Sequence, residues 1–283
     1  MATVISVANM KGGVGKTTLC VSLAEGLAYL EKHVLVIDLD AQINCSQVLW
    51  GTRAGEPWKS GENIHKYLHD LIGATGVDSF PYIRRHIILN ASRKGAVSLF
   101  SGSPMLFSFE REMLSKFQNG IRQLEILYQK AIDRLYRREA DNFDYIIFDC
   151  PPGISLLAEA ALKKSSLIIV PTAPNFLSTM GIQAFSDFLQ NQTSARPWVF
   201  INQVNTSART MARFRREIEN EVKRPDPRFR MLRNYYKQLV EFQRALERYD
   251  GKAFEERYKS VVIQVKNVAE EVMEIANERA VAR

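Results

Sequence analysis

A glycine- and lysine-rich stretch near the N-terminus carries the residues best suited to chemistry. It reads NMKGGVGKTTL and runs from Asn9 to Leu19. Glycines at this density let backbone N–H groups approach phosphate oxygens, and a helix that follows directs its positive dipole end at the same place. The stretch therefore predicts a phosphate-binding loop. Its expected nucleotide contacts are Gly12, Gly13, Val14, Gly15, Lys16, Thr17 and Thr18.

Two side chains of this loop have specific expected roles. Lys16 is expected to reach the β- and γ-phosphate oxygens of ATP, and the Thr17 hydroxyl is expected to ligate Mg²⁺. Such a loop needs a strand before it and a helix after it. The sequence provides both, because TVISVA at 3–8 favours a strand and the residues from roughly 16 to 30 favour a helix.

Carboxylates at strand ends supply the second half of a Mg·ATP site. Asp149 ends the apolar run YIIFD, and Asp38 and Asp40 end HVLVIDLD. Ligands of parallel sheets bind at this C-terminal edge. One aspartate there is equally consistent with a helix cap or a turn, but three of them with the loop favour a Mg·ATP site. Asn202, which ends the strand PWVFIN, either contacts the adenine base or is an ordinary strand-end residue.

A parallel sheet is needed to bring these residues together. Short β-branched runs alternate with helical patterns, and each strand is followed by a helical segment. This alternation predicts an α/β fold with a mostly parallel, twisted sheet and helices on both faces. The expected strands are 3–8, 33–40, 144–149, 166–171 and 197–202.

The middle of the chain is less regular. Residues 51–61 favour a loop, 63–73 a short helix, and the runs HIILN and AVSLF two further strands. From Pro104 to Ala140 the pattern is helical.

The C-terminal part, 207–283, is expected to be mostly helical, with a break at 223–229. A last helix is expected at about 252–278, because its apolar residues follow the 3.6-residue period. They are Val261, Val265, Val268, Val272 and Ile275. The sequence contains no repeat and no clear linker, so residues 1–283 are expected to form one domain.

The net charge of +7 is concentrated in one stretch. Between Arg209 and Lys237 there are ten Lys or Arg against four Asp or Glu, a surplus of six. A basic patch of this kind suits a phosphate backbone or an anionic membrane, and a solvated helix face is the alternative. The arginines proposed to contact DNA are Arg209, Arg213, Arg216, Arg230 and Arg233.

Other features of the composition narrow the class of protein. No apolar run approaches the roughly 20 residues of a membrane-spanning helix. The three cysteines, Cys20, Cys45 and Cys150, are far apart and form no C-x-x-C pair. A reducing cytoplasmic location is therefore expected, and a disulfide framework or zinc site is not.

The sequence resembles the ParA/MinD family of deviant Walker ATPases. The motifs KGGVGKTT, VIDLDAQ and FDCPP match the family in order and spacing, and VPTAPNFLSTMG is similar to its proline-rich strand end. The resemblance covers roughly residues 1–205. It is specific because the lysine before the first glycine, here Lys11, is the family's signature. The segment from 207 to 259 is the part that resembles the family least.

The resemblance implies roles for three residues. Lys11 would reach across a homodimer interface to the ATP phosphates of the partner, which ties dimerisation to ATP. Asp40 would orient the attacking water, and Asp38 would support Mg²⁺ and Lys16. The family usually has Asp-Pro-Gln-Gly-Asn where this chain has Asp-Ala-Gln-Ile-Asn from Asp40 to Asn44. This departure bears on the hydrolysis rate and on coupling to a partner, and not on nucleotide binding.

The leading functional interpretation is a nucleoid-associated ParA-type ATPase. ATP closes a dimer, the dimer binds DNA without sequence preference, and a ParB-like or cargo-adaptor protein stimulates hydrolysis. The chain starts at the first strand, so an operator-reading winged helix is not expected.

Three other classes of protein are weighed against this interpretation. A MinD-like membrane-cycling ATPase would need a bulky C-terminal anchor, and VMEIANERAVAR contains no Phe, Trp or Leu. An iron–sulfur relative would need paired cysteines. An ATP-binding scaffold with little turnover is the remaining alternative, because of the altered residues after Asp40.

Overall fold

An eight-stranded sheet forms the centre of the protein in the computed structural model. The structure describes residues 1–51, 59, 61–73, 78–89, 95–116, 120–174, 176–193, 195–202, 208–224, 227–237, 240–247 and 252–281. The strands are β1 (Thr3–Val7), β2 (His33–Asp38), β3 (Arg84–Leu89), β4 (Ala96–Phe100), β5 (Tyr145–Asp149), β6 (Leu167–Thr172), β7 (Pro197–Ile201) and β8 (Arg230–Met231).

The order of the strands confirms the predicted mostly parallel sheet. It is β3-β4-β2-β5-β1-β6-β7-β8, and all neighbouring pairs are parallel except β3 with β4. β1 therefore lies between β5 and β6, and β5 separates it from β2. In register, Val7 pairs with Asp149 and Asp38 also pairs with Asp149. The predicted strands HIILN and AVSLF correspond to β3 and β4, whereas the two-residue β8 was not predicted.

Helices cover both faces of the sheet, as predicted. One core contains the inward residues of α1 and α11, and the other those of α3, α4, α5, α6 and α7. No helix in the described ranges has the length and apolar character to cross a bilayer. The helices are α1 (Lys16–Tyr29), α2 (Asn44–Trp50), α3 (Ile64–Gly73), α4 (Leu106–Lys116), α5 (Gly120–Glu139), α6 (Leu156–Lys164), α7 (Phe176–Gln190), α8 (Ala208–Val222), α9 (Val240–Ala245), α10 (Phe254–Tyr258) and α11 (Val262–Val281).

Two predicted helical segments are divided in the structure. The segment from Pro104 to Ala140 forms α4 and α5. The expected helix 252–278 is wrong at its start, because Lys259 has a φ of 45° and ends α10 after five residues. A 3-10 turn follows, and α11 then buries Val265, Val268 and Val272, as the apolar period predicts. The predicted loop 51–61 falls mostly outside the described residues.

The C-terminal helices pack against α1, the helix that follows the phosphate-binding loop. Gly26 of α1 allows this approach, because a Cβ there would lie 3.1 Å from Ala269 Cβ and from Val265 Cγ1 of α11. Glu25 of α1 is fully buried and lies 3.4 Å from the buried Arg257 guanidinium of α10. Burial raises the pKa of the Glu25 carboxyl, and Arg257 opposes that rise. The segment that resembles the family least thus packs against α1, the helix that follows the phosphate-binding loop.

Candidate functional site

The phosphate-binding loop connects β1 to α1 at the C-terminal edge of the sheet. Asn9 fixes its first residues, because its Nδ2 donates to the Pro171 carbonyl (2.9 Å) and its Oδ1 accepts the Lys11 N–H (2.9 Å). α1 begins at Lys16 without a capping side chain and without an acidic residue in its first turn. Its first N–H groups and its positive dipole end are therefore directed at the loop.

Gly15 and Asn202 fit together at the back of the loop. Gly15 has a φ of 89°, and a Cβ there would lie 1.9 Å from the Asn202 amide nitrogen. The buried Asn202 donates from that nitrogen to the Val14 carbonyl at 3.0 Å. The structure therefore places Asn202 as a support of the loop backbone. Its contact with the adenine base stays a prediction.

Lys16 is held inside the loop. The side chain is buried, and Nζ donates to the Lys11 carbonyl at 2.9 Å. Burial lowers the pKa of this ammonium group, while the carboxylates of Asp149 and Asp40 oppose the shift. A bond to a neutral carbonyl within the loop can be exchanged for bonds to phosphate oxygens without breaking an ion pair.

Thr17 and Asp149, which are both predicted to hold Mg²⁺, contact each other directly. The Thr17 hydroxyl donates to Asp149 Oδ2 at 2.8 Å, while the buried Oδ1 has no hydrogen-bond partner. Burial, and then the negative charge of Asp38, raises the pKa of the Asp149 carboxyl. A buried carboxylate oxygen without a donor fits Mg²⁺ or a water of its shell. No cluster of three His, Cys, Asp or Glu suited to a metal occurs in the described part of the chain.

Asp38 lies beside Asp149 and is completely buried, but its oxygens already accept hydrogen bonds. Oδ1 accepts the Asp40 N–H at 3.1 Å, and Oδ2 accepts the N–H and the hydroxyl of Ser46 at 2.9 and 2.7 Å. Burial raises the pKa of this carboxyl to about 6, although the bonds from Ser46 lower it. The structure therefore brings Asp38 to the site as a support of neighbouring backbone.

Asp40 is accessible where Asp38 is not. It belongs to residues 39–43, here called the Asp40 loop, and its Oδ1 accepts the Gln42 N–H at 2.9 Å. The loop lines one side of a cavity of about 420 Å³, which α4 and the residues after β5 complete. Its other lining residues include Pro104, Phe107, Glu110, Tyr128 and Pro152. Asp40 is thus open to water at this cavity, and its negative charge acts on Lys16 of the phosphate-binding loop.

The Asp40 loop ends in a strained residue. Ile43 has φ 53° and ψ 24°, the left-handed conformation that glycine favours, and it stands where the family has glycine. A β-branched residue is rarely found there, and such strain costs about 1–3 kcal/mol. The Ile43 side chain is only 4% exposed, so its burial offsets the strain. The backbone geometry suited to glycine is thus present without the glycine.

Replacement of Ile43 by small residues should reverse the usual stability order of Ala and Gly. Both variants lose the buried side chain, but only Ile43→Ala keeps a Cβ in the left-handed conformation. We expect Ile43→Gly to be more stable than Ile43→Ala by about 1 kcal/mol. Denaturant unfolding of both variants measures this difference. A more stable Ala variant would contradict the left-handed backbone at this position.

Lys11 and the five arginines predicted to bind DNA are all exposed. Lys11 is exposed beside the loop, and its action across a dimer interface stays a prediction. Arg209, Arg213 and Arg216 share one face of α8, since their spacing is four and three residues. Arg213 pairs with Glu217 at 3.1 Å.

The other two arginines already have partners. The Arg230 guanidinium lies 5.4 Å from the centre of the Trp198 ring. The backbone N–H and the side-chain Nε of Arg233 both donate to Glu271, and Nη2 of Arg233 donates to Glu274. The structure therefore leaves the α8 face better placed for phosphate than Arg233.

Sequence reasoning missed three residues of the site: Asn9, Ser46 and Gly102. Ser46 holds Asp38, and its hydroxyl accepts the Gly102 N–H at 2.9 Å. Gly102 follows β4, whose C-terminal end is adjacent to that of β2. The strand-edge rule could have found Gly102, since the run SGS directly after AVSLF is typical of such an edge. No spacing rule points to Ser46.

Comparison with known proteins agrees with this geometry. A family model described as an AAA domain (AAA_31) matches residues 2–197, well over half of the chain. The sporulation initiation inhibitor protein Soj of Bacillus subtilis is 29% identical over 182 residues, which are 64% of this chain and 62% of Soj. The chain belongs to this AAA-domain family, in its ParA/MinD group of deviant Walker ATPases.

Solved structures share the fold of this ParA/MinD member. A structure of pNOB8 ParA bound to nonspecific DNA superposes with a TM-score of 0.72, at 20% identity, over 99% of both chains. Cobyrinic acid a,c-diamide synthase of Mycobacterium smegmatis, with an ATP analogue and magnesium, gives a TM-score of 0.67 at 20% identity, over 96% and 95% of the two chains. At this identity the likeness shows the fold alone. The matched region spans 62% of the length of Soj and of a Pseudomonas putida relative.

Proposed function

We propose that this protein is a ParA-type ATPase that dimerises on ATP, binds DNA without sequence preference and is stimulated by a partner protein. Turnover would partition or position a plasmid, a chromosome region or a protein cargo. The observation that carries the proposal is the exposed Lys11 beside a complete phosphate loop, in which Thr17 already contacts Asp149 at 2.8 Å. A single nucleotide site does not need this second lysine.

The residues of the site divide the work of hydrolysis. Lys16 would move from the Lys11 carbonyl to the β- and γ-phosphate oxygens. Thr17 and Asp149 would hold Mg²⁺, which neutralises phosphate charge when bound. Asp40, accessible at the cavity, would orient the attacking water and accept hydrogen bonds from it. Lys11 of a second copy would stabilise the charge that develops on the transferred phosphoryl group.

ATP-dependent dimerisation is the test of this proposal. We expect the wild-type chain to sediment as a dimer with ATP and as a monomer with ADP, because only the γ-phosphate gives Lys11 its partner in the other copy. Lys11→Ala should remain monomeric with ATP and still bind the nucleotide. Analytical ultracentrifugation with each nucleotide, together with a nucleotide-binding titration, measures both effects.

Lys130→Ala is the matched control, since it removes an exposed lysine from α5. This variant should dimerise with ATP as the wild type does. A dimer that forms regardless of the nucleotide and of Lys11 would contradict the role of this lysine across an interface.

Binding to DNA rests on the α8 face and on one structural relative. Arg209 and Arg216 are exposed on the face that includes Arg213. The pNOB8 ParA structure, which shares this fold, contains nonspecific DNA. Arginine contacts of this kind hold phosphates and carry no base information, so the proposed binding has no sequence preference. Association with the nucleoid would follow from it.

An ATP-binding scaffold with little turnover is the second candidate. The strained Ile43 beside Asp40 favours it, because the loop that would orient water departs from the family's sequence. A single-turnover measurement with ATP and Mg²⁺ distinguishes the two candidates. Release of phosphate supports the ATPase, and bound ATP that persists supports the scaffold.

A further inference from the structure

Ser46 connects three segments that meet around the Asp40 loop. It lies in the first turn of α2 and is completely buried. Its N–H and its hydroxyl both donate to Asp38 Oδ2, at the end of β2. Its hydroxyl oxygen also accepts the N–H of Gly102, just beyond β4. One serine thus holds the end of β2, the start of α2 and the end of β4 together.

Gly102 shows how closely these segments fit. A Cβ at Gly102 would lie 3.1 Å from Asp38 Cγ and 3.1 Å from the carbonyl oxygens of Asp38 and Asp40. On the other side, the Asp40 N–H donates to Asp38 Oδ1. The backbone of Asp40 is therefore confined between the Asp38 carboxylate and the chain at Gly102, and Ser46 bonds to both of these.

Packing of α2 fixes the position of Ser46 itself. Cys45 and Leu49 of α2 are fully buried in the same core as Leu19 and Cys20 of α1. α1 begins with Lys16 and Thr17, the residues expected at the phosphates. Through Ser46 and α2, the position of Asp40 is thus fixed relative to α1, the helix that would hold the nucleotide.

We propose that Ser46 is a positioning residue for ATP hydrolysis, which holds Asp38 and Gly102 so that Asp40 meets the attacking water at the correct distance. The proposal rests on the ATPase function proposed above. The hydrogen bonds of Ser46 with Asp38 and Gly102 include no residue of the phosphate loop, because that loop lies between β1 and α1. Loss of the Ser46 hydroxyl should therefore affect the chemical step and leave nucleotide binding intact.

Three substitutions at Ser46 test this role. Ser46→Ala removes the hydroxyl, Ser46→Cys keeps the volume with a much weaker donor, and Ser46→Thr keeps the hydroxyl. We expect single-turnover hydrolysis to fall by about 10- to 100-fold in the Ala and Cys variants, the scale of a misplaced catalytic group. Ser46→Thr should recover most of the rate. The Kd for ATP should equal that of the wild type in all three.

Ser98→Ala is the matched control, because Ser98 is an equally buried serine of β4 whose hydroxyl accepts the His86 N–H. It should hydrolyse ATP at the wild-type rate. An equal loss of rate in this control would overturn the proposal. So would a Ser46→Ala variant with the wild-type rate, or one that loses rate and ATP affinity together.

Hydrogen exchange of the ATP-free chain separates this proposal from the proposed function. In Ser46→Ala, the amides of Asp40 and Gly102 should exchange faster, while those of the phosphate loop should not change. If the wild type does not hydrolyse ATP, the proposed ATPase function fails. Hydrogen exchange alone then shows whether Ser46 holds the backbone at Asp40 and Gly102 in place. Unchanged exchange at Asp40 and Gly102 overturns it.

Discussion

Asp40→Ala should lower ATP hydrolysis by at least about 100-fold, which is the scale of losing a positioned water-activating group. It should leave ATP binding unchanged. Among the hydrogen bonds described above for the loop on β1 and α1, which would hold the phosphates, none involves the Asp40 side chain. The Asp40 carboxylate accepts a bond from Gln42 N–H within its own loop. Its removal therefore leaves the nucleotide contacts in place, and the dimer should still form with ATP.

Asp38 provides the contrast for this experiment. It is buried, and its oxygens accept three hydrogen bonds from Asp40 and Ser46. Asp38→Ala should unfold at lower denaturant concentration than the wild type, because it strips those donors of their acceptor. Asp40→Ala should unfold as the wild type does. Phosphate release, ATP titration and denaturant unfolding of both variants measure these effects.

The opposite pattern would show that the two carboxylates have been assigned the wrong way round. In that pattern Asp40→Ala turns over normally, and Asp38→Ala is folded, binds ATP and does not turn over.

The phosphate loop could be predicted from the sequence because it is local. Its residues are contiguous, and strand, glycines and helix follow each other within one stretch. The carboxylates needed one further rule, that the C-terminal ends of parallel strands meet at one edge. Asp38 and Asp149 do meet there, paired in register. The family, and with it the fold, could be identified from these motifs.

The support behind the site could not be predicted in the same way. Ser46 reaches Asp38 because α2 packs on α1, and Gly102 reaches Ser46 because β4 neighbours β2. Both depend on strand order and packing that no local pattern contains. The sequence predicts one helix from about residue 252, because the apolar period continues past Lys259. The turn at Lys259 is a backbone conformation that this period does not reveal.

The sequence shows how much positive charge the basic stretch carries. How much of that charge is available to bind phosphate depends on the ion-pair partners of each arginine. Arg213 and Arg233 are similarly exposed, at 76% and 73% of their side chains. Arg213 faces one glutamate and Arg233 faces two, Glu271 and Glu274. Glu271 and Glu274 lie in α11, nearly forty residues further along the chain, so a count over one segment could not include them. The structure therefore ranks arginines that the sequence treats alike.

DNA binding by the ATP-bound dimer should depend on Arg209 and Arg216 far more than on Arg233. Within the described part of the chain, neither Arg209 nor Arg216 forms an ion pair, whereas two carboxylates compensate Arg233. Each phosphate neutralised contributes about −0.9 to the slope of log affinity against log salt. A dimer of the Arg209→Ala/Arg216→Ala variant loses four contacts, so the slope should become about 3.6 less negative. By the same relation, affinity at about 0.15 M salt should fall roughly a thousandfold.

The measurement is a salt series of DNA binding with ATP and with ADP, on two unrelated duplexes of equal length. Arg233→Ala is the control, since it also removes an exposed arginine, one charge per chain against two in the variant, and should bind nearly as the wild type does. Because dimerisation doubles the contacts, the wild type should bind weakly with ADP. A strong preference for one duplex would indicate base contacts, and binding to anionic liposomes in place of DNA would indicate a membrane surface. Either result, or an equal loss in the control, would contradict nonspecific DNA binding through the α8 face.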